Sequence, residues 1–182
     1  VGVAHVQDVQ GDSATSATTL TLTLGGATTA GNCLVACISS SASVTNNSVS
    51  GVTLGGSAGN WASLVSAGTG AGEAITGIWA DPSCAGGQTS VVVSVSGGSG
   101  STVWLFARVY EFSGLAAATS GLLDKSSTAT ASSSSWSSGT TAATTHASEA
   151  WVGLVITDST TITGPASPWS NGAQLTSTLD FM

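Results

Sequence analysis

Apolar and polar residues alternate most cleanly over residues 18–24, TTLTLTL. Side chains on a strand point alternately to opposite faces, so Leu20, Leu22 and Leu24 share one face and Thr19, Thr21 and Thr23 the other. This predicts a half-buried antiparallel strand with its threonines in water. A different pattern holds over residues 102–115, TVWLFARVYEFSGL, the longest strand-like run in the chain. Val103, Leu105, Ala107, Val109 and Glu111 share one face. Trp104, Phe106, Arg108, Tyr110 and Phe112 share the other. Both faces are largely apolar, so the strand belongs inside its sheet, with a core on one side. The other side needs a cover: a second layer, long loops or a neighbouring subunit. Ser113-Gly114 is a turn signal that ends the run.

The remaining segments are short. Residues 3–9, VAHVQDV, alternate loosely and read as an edge strand. Residues 32–39, NCLVACIS, form a continuous apolar run and read as an inner strand. Further strands are expected at 51–54, 61–66, 73–80 and 90–96, the last with Val91, Val93 and Val95 on one face. Later in the chain, an edge strand is expected at 122–131, a polar strand at 140–145, and a doubly apolar strand at 149–157. A last, weakly apolar strand is expected at 173–181. Pro165 and Pro168 exclude a central strand around them. No segment of about eleven or more residues has a helical period. Short strands punctuated by turns about every ten residues indicate an all-β fold, an antiparallel, jelly-roll-like β-sandwich. Residues 1–182 read as a single domain.

Composition narrows the function. Charged residues make up 6% of the chain and apolar residues 41%, so a folded chain is expected and not a disordered one. Lys and Arg together number 2, and the formal net charge is −7. Nucleic-acid binding needs several cations to displace counterions, and Arg108 and Lys125 cannot supply them. An anionic membrane surface is disfavoured for the same reason. No apolar run has the length of a membrane-spanning helix, and VGVAHVQ lacks the basic and apolar regions of a signal peptide. A hydroxyl-rich, Lys-poor surface is common in extracellular and particle-surface proteins.

Few residues invite chemistry. Cys33 and Cys37 lie on one strand face, separated by roughly 13 Å, beyond the roughly 7 Å limit for a disulfide. Cys84, in the turn-like DPSCAGGQ, can reach Cys33 or Cys37; the alternative is three free thiols in the core. Zinc lacks its usual ligand spacing, and no metal or cofactor is expected. Glu111 sits among apolar neighbours, where burial would raise its pKa and suit a general acid. A carboxylate satisfied by hydrogen bonds at the strand end is the plainer reading. Arg108 faces away from Glu111 and is expected to stack on the aromatic residues beside it or to pair across a subunit contact. His146 and Glu149 with one of the many serines carry little information. GGSAG, with Ser57 central, lacks the strand-to-helix context of a nucleophile elbow. No catalytic residue is assigned. Of the six tryptophans, Trp79, Trp104 and Trp151 are expected to fill the core. Trp136 and Trp169, in polar or Pro-containing stretches, are candidate glycan contacts.

The order of TAGNCLVACIS, GNWASLVSAG, AITGIWADPSCAGGQTSVVVSVSG, VWLFARVYEFSGL and LLDKSSTATA resembles a broad β-sandwich family of phage structural proteins and large bacterial surface proteins. The resemblance covers most of residues 30–157 and implies further strands after Phe181, either lacking here or shared with a neighbour. It implies a capsid-decoration or tail-associated module at a virion surface or outside cells, and it brings no catalytic residues. Its expected partners are further copies of the chain, in a homo-oligomer such as a trimer, and other particle or cell-surface proteins. Trp104, Phe106, Arg108, Tyr110 and Phe112 are the candidate interface. A carbohydrate-binding or adhesion module is the second expectation, and a jelly-roll hydrolase the third.

Overall fold

A computed structural model gives the fold and describes residues 2–13, 17–42, 47–68, 74–96, 103–130 and 137–156. Among the described residues eight strands form: β1 (Ala4–Asp12), β2 (Thr19–Thr23), β3 (Cys33–Ala42), β4 (Ser48–Leu54), β5 (Ala62–Gly68), β6 (Ala74–Asp81), β7 (Ser90–Ser96) and β8 (Val103–Ser113). They make a five-stranded sheet, β1-β8-β3-β6-β5, and a three-stranded sheet, β2-β7-β4, with every pairing antiparallel. Only the β5–β6 connection stays within one sheet. The architecture is thus the all-β antiparallel sandwich that the alternation predicts, with its eight strands divided five and three.

The core lies between the sheets. Leu20 and Leu22 of β2, Val52 and Leu54 of β4, and Val91, Val93 and Val95 of β7 meet Leu34, Ala36 and Ile38 of β3 and Val103, Leu105, Ala107 and Val109 of β8. Leu34, Ile38 and Leu105 are wholly buried, and each contributes about 1.5–3 kcal/mol by leaving water. The outer face of the small sheet shows Thr19, Thr21 and Thr23 to solvent, as the TLTLT alternation requires. β8 ends where expected, at Gly114. Its φ of 79° and the approach of Gly2 O to within 2.5 Å of where a Cβ would stand leave room for glycine alone.

Three expected strands do not form. Residues 122–130, 140–145 and 149–156 run as irregular chain. The expected strand at 173–181 lies outside the described residues. Leu115, Leu122 and Val152 instead act as separate plugs, packing with Leu64, Ile78 and Phe112 against Cys33, Val35 and Ala80. These last three residues lie on the outer face of the large sheet, so residues 115–130 and 137–156 supply part of the cover that β3 and β8 demand. Two tryptophans also depart from expectation. Trp79 and Trp61 pack against the core, whereas Trp104 is 36% exposed and Trp151 52%. Trp104 falls on the outer side of β8, and Trp151 belongs to the irregular cover and not to a strand.

Candidate interaction face

The outer face of the large sheet has two halves. Over β3, β6 and β5 it is roofed by the irregular segment, which leaves a cleft of ≈ 1030 Å³ whose walls include Val35, Ile78, Leu122 and Trp151. The plugs reach Phe112 at the margin of β8, and the other half of the face is formed by β1 and β8. Here the register brings together residues far apart in sequence: His5 opposite Phe112, Asp8 opposite Tyr110, Gln10 opposite Arg108 and Asp12 opposite Phe106. A bulge between His5 and Gln7 shifts the phase of β1. Ideal alternation would put His5 on the face of Gln7; the bulge places it with Asp8 instead.

The side chains on this half form a connected group. Arg108 donates from Nη2 and Nε to Asp8 Oδ2 at 2.7 and 3.2 Å. Its guanidinium also lies 4.9 Å from the centre of the Tyr110 ring, a cation–π contact. His5 Nε2 approaches Asp8 Oδ1 at 3.1 Å, and the imidazole meets Tyr110 and Phe112 edge-on. Tyr110 and Phe112 stack with centroids 5.9 Å apart. Burial, then the neighbouring Cys37, push the Tyr110 hydroxyl pKa up. Of the five residues expected at an interface, Trp104 is exposed and Arg108, Tyr110 and Phe112 are half-buried, while Phe106 is buried. Val6, the bulge residue, is 47% exposed. The stacking of Arg108 was legible in the sequence; its pairing with Asp8 depends on the β1–β8 register and was not.

The opposite face of β8 settles the role of Glu111. Its carboxylate is fully buried and accepts from Gln7 Nε2 at 2.6 Å, Asn32 Nδ2 at 2.6 Å and the Thr29 amide at 2.9 Å. Burial raises its pKa, but these three donors outweigh burial and hold it below the ordinary carboxyl value. It is an ionised tie between β1, β8 and the loop before β3, the reverse of a general acid poised near neutrality. The three cysteines are free, and no disulfide joins Cys84 to Cys33 or Cys37. Burial pushes the Cys33 and Cys37 thiols up to about 12 and Cys84 up to about 11.

One further cluster ties the irregular segment together. Asp124, His146 and Glu149 place potential ligand atoms within 4.8 Å of one another. Both Asp124 oxygens already accept protein donors: Lys125 Nζ at 2.7 Å and Thr145 Oγ1 at 2.6 Å on Oδ1, and the Thr145 amide at 2.7 Å on Oδ2. The Lys125 ammonium, then Thr145 and Glu149, hold Asp124 well below the usual carboxylate range. Glu149 accepts from the His146 amide, and Ser127 donates to the Ser138 carbonyl. The geometry is that of a clasp between the two arms of the cover. The candidate glycan contacts Trp136 and Trp169 lie outside the described residues.

No protein family, curated protein or solved structure matches the chain.

Proposed function

We propose that the chain is a structural building block of a virion or other extracellular surface, a capsid-decoration or tail-associated module that acts through protein–protein assembly. One observation carries this reading: the β1–β8 half of the outer face, where the exposed Trp104 shares a strand face with the half-buried Tyr110, Phe112 and Arg108. Interfaces are enriched in aromatic residues and Arg and depleted of Lys and Glu at their centres, and this patch has that make-up. The sparse charge of the chain supports the same reading, as does the satisfaction of Glu111 and Asp124 by the protein's own donors. The mass of the purified chain in solution, measured by light scattering across a concentration series, tests it. Assembly into a dimer, trimer or larger particle is expected. A monomer at every concentration overturns it.

A carbohydrate-binding or adhesion module is the second reading. The stacked Tyr110 and Phe112 beside the Arg108–Asp8 pair favour it, because sugar rings rest on aromatic faces and bond charged side chains at their edges. A glycan screen separates the two readings: selective binding lost in Tyr110→Ala, with the chain monomeric, would move the conclusion here.

A further inference from the structure

We infer that the slot between β4 and the inner face of β5 and β6 is a binding site for a neutral sugar, which would rest on Trp79 and bond to Asn47, Ser63 and Ser66. The slot lies on the other side of the large sheet from the Arg108–Tyr110 patch, and its role is independent of assembly.

The unequal sheets create the slot. β2 lies against β1 and β8, and β4 against β3. The small sheet thus ends over β3, and among the described residues β6 and β5 run on beyond it. The register sets Ser63 beside Trp79 and Ser66 beside Gly77, and residues opposite each other on paired strands share a face. Trp79 packs against the main core, so this is the inner face, whereas Leu64 and Ile78 belong to the outer one. Ser63 and Ser66 are exposed all the same, as an inner face without a facing strand requires. The space left is ≈ 450 Å³, with Val49 of β4 on one wall and Trp79 on the other. Small-molecule sites occupy about 300–1,000 Å³, and one water takes only about 30 Å³.

The lining selects the ligand. No charged side chain stands among the described residues that line the slot, so it offers nothing to a phosphate, a carboxylate or an ammonium group. It offers an aromatic ring instead. A Cβ at Gly77 would stand 3.2 Å from Trp79 Nε1, so the indole leans over bare backbone and a side chain at 77 would displace it. Asn47 also lines the slot and is only 5% exposed. Its Nδ2 donates to Ser40 Oγ at 2.8 Å, but its Oδ1 has no partner. A buried acceptor left in that state destabilises the fold, and a ligand hydroxyl seated against Asn47 supplies the missing donor. An apolar ring face edged by hydroxyls, without charge, is the chemistry of a neutral sugar. A strand added to β4 would need the same space, but the bulge between Val49 and Gly51 breaks the row of backbone groups it would pair with.

The experiment screens the full chain against an array of neutral and anionic glycans and follows the strongest hit by calorimetry. Selective binding of a neutral glycan is expected. Trp79→Leu removes the ring, and Ser66→Phe, at an exposed position on β5, fills the slot without touching the core. Circular dichroism first confirms that each folds. Each should weaken binding about tenfold or more, while Tyr110→Ala binds as wild type does. A wild type that binds no neutral glycan, or that prefers anionic ones, overturns the site. Binding that survives either folded variant, or that is lost in Tyr110→Ala, overturns it too. Should Trp79→Leu not fold, Ser66→Phe decides alone. Neither variant should change the mass in solution, so failure of the site leaves the assembly reading in place, and a monomeric wild type leaves the site in place.

Discussion

Gln7 and Glu111 stand opposite each other on the inner side of the β1–β8 pair, and the Gln7 amide donates to the Glu111 carboxylate at 2.6 Å. Gln7 also binds the carbonyl and the amide of Gly26, so one side chain links the edge strand, the long strand and the loop after β2. Replacing Glu111 with Gln sets an amide group against Gln7 Nε2, donor against donor. Flipping Gln7 relieves that contact but breaks both bonds to Gly26. We expect Glu111→Gln to cost about 1–3 kcal/mol, seen as a lower urea midpoint with an unchanged slope. An unaltered midpoint would show that the tie is dispensable.

The same carboxylate sets an acid dependence. Its folded pKa lies below the ordinary 4.5, so the unfolded chain takes up the proton more readily. Its stabilisation is complete above about pH 5 and is lost as the pH falls from there through the folded value. Between about pH 5 and pH 3 the urea midpoint of wild type should therefore fall more steeply than that of Glu111→Gln. Asp124, also held low, supplies residual acid sensitivity in both. Parallel profiles would mean that the two states bind the Glu111 proton equally.

The sandwich was legible because its strands advertise themselves by a period of two. TLTLT and SVVVSV each present one apolar row, and both became strands with those rows in the core. The doubly apolar β3 and β8 also announced that the outer face needs covering. What covers it was not legible. Leu115, Leu122 and Val152 are single anchors far apart in sequence, and such anchors have no period. Hydroxyl-rich chain with scattered apolar residues resembles a half-buried strand in composition, as at 122–130, and the apolar run at 149–156 resembles an inner strand, yet neither pairs with a neighbouring strand. The candidate face was half legible: alternation alone placed Trp104, Arg108, Tyr110 and Phe112 together. Adding His5 and Asp8 needs the β1–β8 register and the bulge at Val6, and a local pattern carries neither.

The free thiols give a third expectation. The thiolate is the reactive form, and with pKa values pushed to about 12 for Cys33 and Cys37 and about 11 for Cys84 almost none exists at neutral pH. The folded chain should resist a thiol-reactive reagent at pH 8 and release all three cysteines on unfolding in guanidinium without reductant. Two missing thiols in the unfolded, unreduced chain would reveal a disulfide instead.

The cover and the sandwich should separate energetically. Val152 plugs the outer-face cluster of Cys33, Val35 and Ala80, whereas the main core lies on the other side of the same sheet and is built without it. An Asp in place of Val152 would put a charge against apolar side chains and lift the segment from the face. Local opening of this kind costs less than global unfolding where few backbone hydrogen bonds must break, and 149–156 forms no strand ladder. Val152→Asp should therefore bind a hydrophobic dye and be cut by protease within residues 115–156, while the β-sheet circular dichroism signal and cooperative unfolding persist. Simultaneous loss of the sheet signal would mean that the cover is part of the folding core.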